Sequence, residues 1–334
     1  MVHWQEAFSQ EHLSIAELRY GVEAGGITKV GGFENLVFKF AKGSAERILR
    51  VSHSSHRSEG QFLAELDWLT YLADQGVSVS RPLPSAEGRM LETIDSENGR
   101  FILTAFEKAE GSQVNGSHPA WGPELFRTWG YTIGLMHAKT HSYEVAPGAP
   151  QRMAVAELSI VSHHLLKPSL RDEAILRKYE EVEQEILSLP RSKESYNLCH
   201  RDLHHGNFFV HNGKITAFDF DDCAYDYFVQ DIAMAVYYGT IFGMHGNPLS
   251  DINEASEIGR RFLNDFMEGY ERANHLDEFW LKKLPLFIEK RRIELCLLLA
   301  EAWGPDQPKA ERREWLRVNR EGILEGVPCM NLFL

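Results

Sequence analysis

The hydrophobic pattern changes period about a third of the way along the chain. Residues 27–51 carry short strand-like runs: 27–30 leads into Gly31-Gly32, 36–40 is followed by Lys42-Gly43-Ser44, and 47–51 closes the series. A helix follows. Ser58 and Gln61 have capping-box spacing, Phe62, Leu66, Leu69 and Ala73 recur at helical intervals, and Gly76 stops the run. Two further strands are predicted at 89–92 and 101–106. This part of the chain reads as an antiparallel sheet with one inserted helix.

Beyond Glu107 the period becomes helical. Leu125, Phe126, Trp129, Ile133 and Met136 mark one amphipathic helix, and Ile175, Leu176, Tyr179, Val182 and Ile186 mark another. A third carries Ile258, Phe262, Phe266, Met267, Tyr270 and Ala273, and residues 287–303 and 311–324 supply two more. His137 falls one turn after Ile133 and reads as a core histidine. Only 208–220 stands out as β-like in this half. The pattern predicts an α+β, two-lobed protein: a small antiparallel-sheet lobe over 1–106 and a larger helical lobe over 107–334.

Composition narrows the class. The 334 residues are 43% hydrophobic and 25% charged, the proportions of a globular protein. Lys and Arg number 35 against 48 Asp and Glu, a net charge of −13. That balance disfavours nucleic acid and anionic membranes as partners, because phosphate binding needs a concentrated basic face. Cys199, Cys223, Cys296 and Cys329 are scattered without metal-ligand spacing, which predicts reduced thiols and a cytoplasmic location. The start, Met1 to Glu6, lacks the basic and apolar regions of a signal peptide, and the apolar run 295–300 falls far short of the roughly 20 residues that span a bilayer.

The chemistry concentrates in residues 200–222. The string His200-Arg201-Asp202-Leu203-His204-His205-Gly206-Asn207 precedes two apolar runs joined by Asn212-Gly213, a strong signal for a two-residue hairpin turn. Such a turn returns Asp219 to the same end of the hairpin as Asn207. One amide and one carboxylate suit Mg²⁺, which binds few protein oxygens and takes others from phosphates. A separate carboxylate, Asp202, can accept the proton of an attacking hydroxyl. The spacing H-R-D-x-x-x-x-N with a strand-borne Asp is that of a protein-kinase catalytic loop.

These residues resemble the aminoglycoside phosphotransferase and choline kinase superfamily, whose members show H-G-D-x-H-x-G-N, then I-D-[FW]-[DE], then D-x-x-x-x-D-[LI]-A. Here the second and third motifs read Phe218-Asp219-Phe220-Asp221 and Asp226-Tyr227-Phe228-Val229-Gln230-Asp231-Ile232-Ala233. Asp219-Phe220-Asp221-Asp222 is most similar to a subgroup that includes a stress-response serine/threonine kinase. The resemblance implies a bilobal protein-kinase-like fold with the active site between the lobes. It implies ATP or GTP as donor, Mg²⁺ as cofactor and a hydroxyl-bearing acceptor. Asp202 would be the base, framed by His200 and Arg201, with Asn207 and Asp219 as metal ligands. Arg50 would grip the phosphates with Glu65 as its partner. Gly32 and Asn35 would lie in the hairpin that covers the phosphates, and the backbone of Glu107 and Ala109 would meet the base. Arg201 departs from the family's glycine.

The acceptor stays open among aminoglycosides, amino alcohols, homoserine, sugars and protein serine. Glu294, Glu301 and Asp306 near Trp303 suggest an amine-bearing one, through ion pairing and cation–π contact. A rival from another class is a hydrolase with a transition metal held by His200, Asp202, His204, His205 and Asp219. No G-x-x-x-x-G-K-[ST] occurs in the chain, which excludes a P-loop ATPase.

Overall fold

A computed structural model of the chain describes residues 4–32, 34–97, 99–157, 172–243, 251–303 and 309–333. The chain folds into two compact units. The first comprises Met1–Glu110, Tyr143–Arg152 and Thr216–Asp221; the second comprises Gly111–Ser142, Met153–Ile215 and Asp222–Leu334.

The first unit is built on a six-stranded sheet with the order β1-β2-β3-β6-β4, and β5 also pairs with β6. The strands are β1 (Thr28–Gly31), β2 (Leu36–Lys42), β3 (Ala45–His53), β4 (Pro82–Leu83), β5 (Glu92–Ser96) and β6 (Gly99–Glu107). All of their pairings are antiparallel. The strand predicted at 89–92 begins only at Glu92, because residues 85–88 form a turn closed by Ser85 N–H donating to the Arg89 carbonyl. Helix α3 (Glu59–Asp74) starts where the side chain of Ser58 accepts from the Gln61 amide, and it buries Phe62, Leu66, Trp68 and Leu69.

Two short helices absent from the sequence prediction, α1 (Trp4–Ala7) and α2 (Gln10–Tyr20), complete this unit. Trp4, Phe8, Leu13, Ala16 and Tyr20 pack on Phe38, Leu49, Phe101 and Leu103 of the sheet. Their apolar pattern is weak because α2 keeps polar residues at most of its positions. It is the tertiary contact with the sheet that selects the helix.

The second unit is mainly helical: α4 (Pro123–Thr140), α5 (Glu173–Leu187), α6 (Phe228–Tyr237), α7 (Ile252–Tyr270), α8 (Glu278–Trp303) and α9 (Ala310–Glu325). It also holds β7 (Tyr196–Cys199) paired antiparallel with β10 (Ala224–Tyr227), which the helical reading of this half missed. Strands β8 (Phe208–His211) and β9 (Lys214–Ala217) form the hairpin. Asn212 and Gly213 take φ values of 49° and 74°, the left-handed pair that a type I′ turn demands. Among the described residues no helix is long and apolar enough to cross a membrane.

Helices α4 and α7 approach backbone to backbone. A Cβ on Gly130 would overlap the Phe266 carbonyl, and one on Gly269 would overlap the Arg127 carbonyl. This close seam sets the position of Trp129 and His137, both fully buried on α4. Gly130→Ala and Gly269→Ala should each lower the unfolding free energy by about 2 kcal/mol through overpacking. Urea denaturation of each variant checks this, and unchanged midpoints would show that the seam can relax.

Candidate active site

The residues singled out in the sequence fall into two groups, one in each unit. In the first unit, Arg50 on β3 and Glu65 on α3 form a bidentate ion pair at 2.8 and 2.9 Å. Both are buried, and the guanidinium also lies over the rings of Phe62 and Phe106. Burial alone would pull the arginine's pKa down, but the carboxylates of Glu65, Asp221 and Asp219 outweigh it and push the pKa up. Arg50 Nε is buried and makes no hydrogen bond.

Phe220, fully buried with its ring edge-on to Trp68, anchors the strand end that carries Asp219 and Asp221. Asp219 has φ of 64°, a left-handed conformation unusual for a residue with a Cβ. Asp221 is saturated: it accepts from His56 Nε2 (2.9 Å), Arg57 Nε (3.2 Å) and Asn35 Nδ2 (3.3 Å). Burial disfavours its charge, yet His56, Arg50 and Arg57 hold its carboxyl well below the usual range. Asn35 therefore serves as a tether to Asp221. Gly32, at φ 122°, stands where a Cβ would strike the Asn35 carbonyl. The Glu107 amide donates to the Arg81 carbonyl at 2.8 Å, so it is not available to a ligand, and Ala109 is buried.

In the second unit the loop His200–Asn207 is pinned from below by Asp231 of α6. This carboxylate, fully buried, accepts from the backbone amides of His200 (3.0 Å) and Arg201 (2.6 Å) and meets His137 Nε2 at 3.0 Å. Burial depresses the pKa of His137, so the neutral ring donates from Nε2 to Asp231 and accepts the Tyr270 hydroxyl proton at Nδ1. Burial opposes ionisation of Asp231, but His137, His200 and the loop amide keep its pKa low. The core histidine read from the sequence is thus also a strut of the loop.

Asn207 Nδ2 donates to both the carbonyl and Oδ2 of Asp202, each at 2.9 Å. Its Oδ1 is a hard oxygen donor of the kind that Mg²⁺ or Ca²⁺ takes. His204 Nδ1 accepts from the Gly206 amide, its ring stacks on Tyr238, and burial drives its pKa down to about 3. Among the described residues of this unit, no three of His200, Asp202, His204 and His205 bring ligand atoms within 4.8 Å of one another.

The acidic acceptor pocket needs correction. Glu294 on α8 is buried and already lies 3.8 Å from Lys290 Nζ and 3.6 Å from Arg291 Nη1. Its charge is spent on its own helix. Asp306 lies outside the described residues. Sequence reasoning passed over Arg291, whose Nη2 is 3.4 Å from Asp202 Oδ1. A signal was present: the basic run 290–292 interrupts an apolar stretch that both precedes and follows it.

Arg201 explains the departure from glycine. It has φ of 69°, which costs about 1 kcal/mol for a residue with a Cβ. The Asp231 carboxylate on its amide and the buried Asp226 on its Nε, at 2.9 Å, hold it there. Arg201→Gly should therefore be about 1 kcal/mol more stable than Arg201→Ala, with both below the parent because each leaves Asp226 unpaired. Thermal melts compare them; an alanine variant as stable as the glycine variant would refute the strain. A second expectation concerns acid. His204 has a folded pKa of about 3 against an ordinary 6.5, so its stabilising effect is whole above pH 6.5 and is lost as pH falls toward 3. Between pH 7 and pH 5 the loss is about 2 kcal/mol. His204→Asn should remove that share of the acid slope in urea unfolding at the two pH values, and an identical slope would contradict it.

The profile of the phosphotransferase enzyme family matches residues 27–279. An amicoumacin kinase of Bacillus subtilis (strain 168) is 33% identical over 326 residues, covering 97% of this chain and 95% of the relative. A solved structure of an amicoumacin kinase in complex with AMP-PNP, Ca²⁺ and Ami is 31% identical, with a TM-score of 0.90 over 100% of this chain and 98% of that one. A microcompartment-associated aminopropanol kinase shares the fold at 19% identity, with a TM-score of 0.70 over 97% of this chain and 100% of that one. With its antiparallel sheet, its helical second unit and its H-R-D-x-x-x-x-N loop, the chain belongs to the phosphotransferase enzyme family and is a kinase that phosphorylates a hydroxyl group of a small molecule.

Proposed function

We propose that the chain transfers the γ-phosphoryl group of ATP, with Mg²⁺, to a hydroxyl of a small molecule of the amicoumacin type. The observation that carries this reading is the clamp of Asn207 on Asp202 in a loop fixed by Asp231. Asp202, whose Oδ2 accepts from Asn207, is the carboxylate that takes the acceptor's proton. The acceptor oxygen then bonds to the γ-phosphorus as the bond to the bridging β–γ oxygen breaks and ADP departs.

Asn207 and Asp219 each supply an oxygen ligand to the metal, which when bound neutralises charge on the phosphates. Arg50, held rigid by Glu65, has the unpartnered Nε that an anionic phosphate oxygen would satisfy. The carbonyl of Glu107 and the backbone of Ala109 serve the adenine, and His200 and Arg201 are positioning residues of the loop. Gly32 lets the hairpin backbone fold closely over phosphate. GTP is the alternative donor. Four free cysteines and the demand for ATP support a cytoplasmic location.

Incubation with ATP, Mg²⁺ and amicoumacin should yield a product heavier by one phosphoryl group in mass spectrometry. Asp202→Asn should keep nucleotide binding in calorimetry and lose about 10³-fold or more in turnover, because it retains shape but not basicity. An Asp202→Asn variant that turns over near the parent rate would remove Asp202 from its role.

A further inference from the structure

The guanidinium of Arg291, on a side chain that is 14% exposed, is poorly satisfied for a mostly buried charge. Its one short bond is Nη2 donating to the Tyr238 hydroxyl at 2.7 Å. The contact to Asp202 Oδ1 is 3.4 Å and that to Glu294 Oε2 is 3.6 Å. Nε is buried and bonds to nothing. A buried donor without a partner costs about 1–3 kcal/mol, which a protein tolerates where a ligand supplies the missing acceptor.

The charge around Asp202 matters as much. Glu294 lies between Lys290 and Arg291, and Arg201 is engaged by Asp226. Glu294 and Asp226 are thus each engaged by a cation of this unit. A molecule bearing several ammonium groups meets the Arg291 guanidinium beside Asp202. The stacked rings of His204 and Tyr238, 4.5 Å apart, add a flat surface beside the guanidinium.

We propose that Arg291 determines acceptor specificity: its Nε donates to a carbonyl, amide or ether oxygen close to the reacting hydroxyl, so the enzyme takes neutral or singly charged acceptors and rejects polycations. This rests on the reading above that Asp202 holds the acceptor hydroxyl. The result is a kinase whose substrates are amide- or carbonyl-bearing alcohols rather than aminoglycosides.

Steady-state kinetics of the full chain with ATP and Mg²⁺ separate the cases, with amicoumacin and kanamycin as acceptors. Arg291→Gln and Arg291→Lys should each raise the KM for amicoumacin at least tenfold, the Lys variant because it loses the Nε donor while keeping the charge, and the KM for ATP should shift less than twofold. Kanamycin should be a poor acceptor for the parent enzyme. Equal amicoumacin KM values in parent and both variants, or efficient use of kanamycin by the parent, would overturn the proposal. Failure of the parent to phosphorylate either compound refutes the acceptor class proposed above, not the role of Arg291, which calorimetry then decides. With AMP-PNP present, kanamycin should bind Arg291→Glu at least tenfold more tightly than the parent. Equal or weaker binding to that variant would sink the charge argument.

Discussion

The carboxylate of Asp231 is the constraint on which the second unit's chemistry depends. It is removed from water, and a buried charge is stable only where donors surround it. Two of those donors are the amides of His200 and Arg201, and a third is His137. The loop cannot leave without stranding the charge. This is why Arg201 stays in the left-handed region despite its Cβ, and why Asp202, one residue on, is presented in one orientation. His137 in turn depends on the α4–α7 seam, where glycine allows the helices to touch. A packing feature remote from the loop thus fixes the angle of the Asp202 carboxylate.

The first unit solves a similar problem with different groups. Arg50 and Asp221 are both buried ions, and each is compensated: the arginine by Glu65, the aspartate by His56, Arg57 and Asn35. The bidentate geometry of the arginine pair matters because a guanidinium stays charged under any condition the protein meets, whereas a lysine would respond to burial. Asp221 accepts from three side chains, His56, Arg57 and Asn35. Asp221 is thereby committed to holding its own unit together.

Arg291 shows how an acidic protein can nonetheless set a cation beside a carboxylate of its loop. A net charge of −13 suggests affinity for positive ligands, yet net charge describes the long-range field and not a pocket. Within a few ångströms of Asp202 the balance is set by α8, which spends its glutamate on its own lysine and arginine.

Local signals carried much of the architecture. The Asn212-Gly213 turn, the Ser58 cap, the helical spacing in α4, α5 and α7 and the spacing from His200 to Asn207 depend on neighbours in the chain, and a sequence contains those. The loop motif therefore identified phosphoryl transfer before any coordinates. What the sequence left open depends on residues far apart. Helices α1 and α2 have weak periodicity and form because a sheet receives them. Strands β7 and β10 are four residues each and pair across 24 intervening residues, too short and too distant for a local pattern. Whether Glu294 was a free anion or a neutralised one, and whether Arg291 reached Asp202 across 88 intervening residues, turned on the direction of α8. Residue types along a chain state what chemistry is available; only the packing of helices decides which charges cancel and which remain for a ligand.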